Sequence, residues 1–190
     1  DNPGESFVGY VGFDPSKPDP YEGIDRQVRA IWSALQYDFP MSYVNPPPAY
    51  SESSQRLRSP SEILERRRAT CIDLALLVAS CLEYIEIFPT IFLTSNHAFP
   101  GYWRSLPHFA SFSVPEQPAA PANAPAGTMA ANEVSWLSGA AAFSEIEERV
   151  RRDELRPLES TFLTNGKSYR EACAQGAKNL TAQPFDALLD

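Results

Sequence analysis

The sequence predicts an α+β domain in which an antiparallel pair of strands packs on one buried helix. Three segments carry that reading. Cys71 to Tyr84 is apolar on nearly every face (Leu74, Ala75, Leu76, Leu77, Val78, Ala79, Leu82), and a helix that is apolar all round belongs in an interior. Phe88 to Thr94 follows as a β-branched and aromatic run, the pattern of a buried strand. Ala98 to Arg104 returns as its antiparallel partner, with Ser95-Asn96 at the turn.

The remaining elements follow in chain order. Residues 1–21, rich in Pro, Gly and Asp, read as an irregular lead-in with one short extended piece at Ser6–Val11. Ile24, Val28, Ile31 and Leu35 recur at helical spacing, which predicts an amphipathic helix over 22–37. A proline-interrupted loop, Asn45-Pro46-Pro47-Pro48, comes next. Ser59-Pro60-Ser61-Glu62 then starts a short helix: Ser59 caps, Pro60 suits the first position and Glu62 completes the box. That helix stops near Arg68, and its Arg66-Arg67-Arg68 run, flanked by Glu62 and Glu65, reads as a solvated face. Residues 115–131 form a Pro/Ala-rich tract without a core pattern, a disordered surface insertion. Ser144 to Asp153 is helical, with acids first and arginines later as the helix dipole prefers. Leu155 to Leu163 reads as a further strand. Ser168-Tyr169-Arg170-Glu171 is a second capping box, opening a last helix to about Leu180. The domain proper thus covers 22–183, with 184–190 as a tail.

Composition narrows the function classes. The chain has 190 residues, 43% hydrophobic and 21% charged, which suits one globular domain with a substantial core. Its longest apolar run, Leu74 to Ala79, falls far short of the ~20 residues of a membrane span. No basic stretch followed by an apolar one opens the chain, so no retained signal peptide is expected, and an initial Asp suggests a fragment or a processed form. A net charge of −8 argues against a broad electropositive surface and hence against direct nucleic-acid binding. Three widely spaced cysteines, two histidines and no C-x-x-C give neither a disulfide framework nor a metal site, and no cofactor is expected. Reduced thiols fit a cytoplasmic setting.

Cys71 is the most informative position for chemistry. It follows Thr70, which can cap, and so stands at the head of the buried helix. There the helix dipole and free backbone N–H groups favour a thiolate and could hold a developing oxyanion. The competing reading is a small buried hydrophobe. Cys81, mid-helix, and Cys173, in the last helix, read as packing. His97, just after the strand, is placed to serve as a base for Cys71, or is simply a satisfied turn histidine. His108, in Leu106-Pro107-His108 beside the Pro/Ala tract, reads as a surface residue. Glu159, a carboxylate among apolar neighbours, calls for a partner and could orient the imidazole. Asp73 competes for that role, but in the first helical turn it is better suited to supporting the helix terminus.

Thr70-Cys71-Ile72-Asp73-Leu74-Ala75, then Pro89 and a strand, then His97-Ala98-Phe99, resembles the core of the transglutaminase-like (papain-like) superfamily. Tyr43-Val44-Asn45-Pro46-Pro47, Gln55-Arg56-Leu57-Arg58-Ser59-Pro60 and Pro157-Leu158-Glu159-Ser160-Thr161 resemble more closely the transglutaminase-like region beside bacterial superfamily I helicases with a DUF4011-type domain. The likeness runs from about Asp25 to Leu180. It departs from the superfamily at Ala69, where Gly is usual, at Phe99, where Trp is commoner, and at Glu159, where many members have Asp. The resemblance implies an antiparallel sheet packed on the nucleophile helix and a Cys71–His97–Glu159 triad. It also implies a cysteine protease or amide hydrolase acting on a protein or peptide, with Gln55 a candidate oxyanion donor. The alternatives are amine transfer of the transglutaminase type, or a non-catalytic interaction domain working with further domains of the same polypeptide.

Overall fold

The structure is a computed structural model that describes residues 7–45, 57–112, 136–182 and 184–189. Six helices are present among these residues: α1 (Glu22–Tyr37), α2 (Pro60–Arg66), α3 (Cys71–Tyr84), α4 (Leu106–Ser111), α5 (Ala140–Arg151) and α6 (Tyr169–Ala182). The strands are β1 (Ser42–Tyr43), β2 (Arg68–Ala69), β3 (Pro89–Thr94), β4 (His97–Trp103), β5 (Trp136–Ser138), β6 (Leu155–Pro157) and β7 (Phe185–Leu189). The main sheet has the order β5-β7-β3-β4-β6, every neighbouring pair antiparallel, while β1 and β2 form a separate parallel pair. The architecture is therefore mixed α and β around an antiparallel sheet.

Two clusters cover the two faces of that sheet. Leu74, Leu77, Val78 and Leu82 of α3 pack with Ile24, Val28, Trp32 and Leu35 of α1 and with Tyr102 of β4. On the other face Phe92, Phe99, Trp103 and Leu188 meet Phe112, Ile146 of α5 and Leu180 of α6. The Phe92 and Phe99 rings stack with centroids 5.1 Å apart. Full burial of each such side chain stabilises the fold by roughly 1.5–3 kcal/mol, so this layer has no tolerance for truncation. Gly101 is required by the stacking: a Cβ there would lie 2.6 Å from Phe92 Cε2.

Between α1 and the sheet lies a polar cluster that the sequence did not announce. The Asp25 carboxylate, 5% exposed, accepts from Tyr102 Oη at 2.6 Å, from Arg104 Nε and Nη2, and from Arg156 Nη1. Tyr169 Oη in turn hydrogen-bonds Tyr102 Oη. Asp153, at the exposed rim, also pairs with both guanidinium groups, so two cations meet two carboxylates, and the hydrogen bonds replace the water they lost.

Four expectations need correction. The extended piece at Ser6–Val11 is a 3-10 turn over Gly9–Gly12 instead, because Gln27 Oε1 collects the Val8 and Gly9 N–H groups and Gly9 adopts φ of 53°. The strand expected over Leu155–Leu163 stops at Pro157, because the Leu158 N–H still reaches the Pro100 carbonyl but Pro100 has no N–H to return, and a 3-10 helix follows at Ser160–Asn165. The α5 helix begins at Ala140 rather than Ser144, after Gly139 at φ of 90°. Finally, Phe185–Leu189 of the expected 184–190 tail form a strand: β7 lies between β5 and β3, with Leu188 fully buried. The 115–131 insertion, Gln55 and Pro46-Pro47-Pro48 lie outside the described residues. Among the described residues, no helix is long and apolar enough to cross a membrane.

Candidate active site

The head of α3 is fixed from several sides. Arg67, in the left-handed region at φ of 56°, ends α2, and β2 then carries the chain two residues to Thr70. The Thr70 hydroxyl accepts the Asp73 N–H while Asp73 Oδ2 accepts the Thr70 N–H at 3.0 Å, a reciprocal capping box. Asp73 is fully buried and also takes the Arg58 N–H and the Arg58 guanidinium. Burial opposes its charge, but these donors outweigh it and hold the carboxyl below its ordinary range. Asp73 thus anchors the helix terminus and leaves the imidazole to another acid.

β4 supplies the imidazole at its first residue. β6 pairs only with Gly101–Trp103, and the Leu158 N–H reaches the Pro100 carbonyl, so strand pairing on this side of β4 ends before His97–Phe99. Cys71 occupies that free edge, and the backbone N–H groups of Ala98 and Ile72 are directed at its sulfur. The His97 ring stacks on Phe99 with centroids 5.6 Å apart, which limits its rotation.

His97 Nε2 lies 2.8 Å from Glu159 Oε2. Its other nitrogen, Nδ1, is left for the thiol, and hydrogen bonding joins the Cys71 and His97 side chains. Glu159 is 3% exposed and caps the 3-10 helix rather than lying on a strand. Its Oε1 accepts both the N–H and the hydroxyl of Thr161, and its Oε2 also accepts from Asn179 Nδ2 of α6. Gln175 Nε2 donates to Asn179 Oδ1 at 2.8 Å and fixes that amide. Gly176 lets α6 come this close, since a Cβ there would lie 2.7–2.8 Å from the Pro157–Leu158 backbone.

The electrostatics follow from this wiring. Burial works against a Cys71 thiolate, but hydrogen bonding from His97 and from the Ala98 and Ile72 N–H groups outweighs it, and the thiol pKa is lowered. Hydrogen bonds to Cys71 and then to Glu159 push His97 up to about 9. Glu159 is lowered in spite of burial, through His97 and Thr161. Cys81 and Cys173 behave in the opposite sense: burial raises the first, and pushes the second up to about 11. The shifts of the three site groups all run towards thiolate, imidazolium and carboxylate, a chain of alternating charge suited to nucleophilic attack.

The structure brings Cys71, His97 and Glu159 together and keeps the other candidates apart from them. Cys81 and Cys173 pack against the α1–α3 core. His108 sits on α4 against the Tyr21 ring, with Nε2 4.0 Å from Glu154. Two neighbours of the site were missed in the sequence. Asn179 gave no signal, being one more polar residue on a helix. Tyr43, on β1, is hydrogen-bonded to Cys71; burial and the adjacent sulfur raise its pKa, so the phenol keeps its proton. Among the described residues, no group of three or more His, Cys, Asp and Glu side chains could hold a metal ion. Compared with protein-family models, with curated proteins and with solved structures, the chain has no match.

Proposed function

We propose that the protein is a cysteine-dependent acyl-transfer enzyme, a thiol protease or amide hydrolase with a transglutaminase-like, papain-like arrangement of helix and sheet. One observation carries the reading: a single imidazole meets a buried carboxylate through Nε2 and is also hydrogen-bonded to a helix-head thiol of lowered pKa. In the reaction the Cys71 thiolate attacks a substrate carbonyl carbon, and the carbonyl π pair moves onto oxygen. The oxyanion lies at the head of α3, where the Cys71 backbone N–H and the helix dipole favour negative charge. His97 gives its proton to the leaving amine as the C–N bond breaks, leaving a thioester on Cys71. Neutral His97 then takes a proton from water as that water attacks the thioester, and returns it to the sulfur that leaves. Glu159 holds the ring in the required orientation and stabilises its cationic form.

The substrate class that goes with this chemistry is a protein or peptide amide, and a reducing cytoplasmic setting keeps the thiol free. A fluorogenic peptide library tests the reading. The chain is expected to release fluorophore, Cys71→Ala and His97→Ala to abolish release, and Glu159→Gln to reduce it by about 10²-fold or more. Release that persists in Cys71→Ala would refute the proposal. Incorporation of a labelled primary amine without hydrolysis would transfer the same centre to amine transfer.

A further inference from the structure

We propose that Tyr43 is a further catalytic residue, whose hydroxyl hydrogen-bonds the substrate oxyanion formed on attack by Cys71. The inference rests on the acyl-transfer reading above and adds a residue to which the sequence assigns no role. It starts from backbone geometry. β1 is only two residues long, yet it is locked to β2 in a parallel pair with Tyr43 opposite Ala69, and the Val44 N–H donates to the Ala69 carbonyl at 3.0 Å. Ala69 is two residues before Cys71, so this pairing holds Tyr43 beside the helix head. Its side chain remains 41% exposed, open to an incoming substrate.

The phenol contacts both groups that matter in the attack. It hydrogen-bonds the Cys71 side chain, and the Cys71 backbone N–H is directed at its oxygen. A carbonyl oxygen undergoing attack must sit close to the sulfur and in front of that same N–H. The Tyr43 oxygen therefore marks, in the resting site, the neighbourhood that the oxyanion enters. As the C–S bond forms, negative charge leaves sulfur and appears on oxygen. A hydroxyl that first donates to the thiolate can turn its O–H to the new charge over a short distance, keeping its proton throughout. Tyr43 and the Cys71 N–H would then be the two donors to the oxyanion, filling the place for which Gln55 was a candidate.

The test compares two reagents for the same sulfur. Iodoacetamide alkylates by displacement and forms no oxyanion. p-Nitrophenyl acetate acylates through a tetrahedral oxyanion that collapses by expelling p-nitrophenolate. For Tyr43→Phe the alkylation rate at Cys71 is expected to stay within about threefold of the parent chain, while the acylation rate falls by about 10²-fold, as on loss of one oxyanion donor. Equal acylation rates for the two chains would overturn the proposal. So would a rise in both rates, which would make Tyr43 a plug over the thiol. If the parent chain's Cys71 reacts with neither reagent faster than Cys81 and Cys173, the acyl-transfer reading falls first and this role with it.

Discussion

Replacing Glu159 with glutamine removes the negative charge behind His97 while nearly preserving the side chain's shape. The carboxylate accepts four donors: His97 Nε2, Asn179 Nδ2, and the N–H and hydroxyl of Thr161. A glutamine offers one oxygen and one NH2 group, so the NH2 must face donors in either orientation. The elevation of His97 to about 9, against an ordinary value near ~6.5, amounts to roughly 3 kcal/mol in favour of the imidazolium. Glu159 ranks behind Cys71 among its causes, so about 1–2 kcal/mol is assigned to the carboxylate, equivalent to about one pH unit. The assay is an NMR titration of the His97 ring protons. His97 is expected to titrate near 9 in the parent chain and about one pH unit lower in Glu159→Gln. A parent His97 that titrates in the ordinary histidine range would refute the wiring. Stability has a matching sign. The raised His97 value contributes below the ordinary histidine range and is lost as pH rises through about 9. The lowered Glu159 value contributes above the ordinary carboxylate range and is lost as pH falls through its depressed value. The deficit of Glu159→Gln is therefore largest near neutral pH and shrinks towards both extremes.

Other outcomes follow from the packing. Asp25→Ala leaves the Arg104 and Arg156 guanidinium groups with only the exposed Asp153 carboxylate between them, and a loss of about 3 kcal/mol, the low end for a broken buried pair, is expected in urea unfolding. An unchanged midpoint would contradict the role given to that cluster. Gly176→Ala puts a methyl against the Pro157 and Leu158 backbone. It is expected to cost about 1–3 kcal/mol by overpacking and, by displacing Asn179 and Glu159, to slow Cys71 alkylation; normal stability and alkylation together would contradict the account. Asp73→Ala removes the capping box and strands Arg58, with an expected loss of about 2–4 kcal/mol in thermal or urea unfolding.

How much of this was legible from the chain depends on how local each signal was. The helix from Cys71 to Tyr84 and the β3–β4 hairpin were readable because apolar pattern, Thr70 and the Ser95-Asn96 turn all lie within the segments themselves. The approach of His97 to Cys71 was readable for the same reason: the hairpin follows the helix directly, so few topologies separate them. Glu159 was identified by its apolar neighbours, but its element was misread. Its carboxylate bends the chain by taking the Thr161 N–H, a local competition that strand propensity does not register. β7 was missed because Phe-Asp-Ala-Leu-Leu does not alternate clearly, and its place between β5 and β3 comes from partners distant in sequence. Asp25 and Tyr43 were missed for a related reason. Each is an ordinary residue in its own segment, and acquires meaning only from Arg104, Arg156 or Cys71 across the fold.

Competitive labelling decides most directly whether the sulfur at the head of α3 is a nucleophile. Iodoacetamide at well under one equivalent is added to the folded chain near neutral pH, and the three cysteine peptides are quantified by mass spectrometry. Label is expected to concentrate on Cys71 by about tenfold or more over Cys81 and Cys173, whose thiols burial keeps protonated. An even distribution across the three, or label that avoids Cys71, would contradict the account.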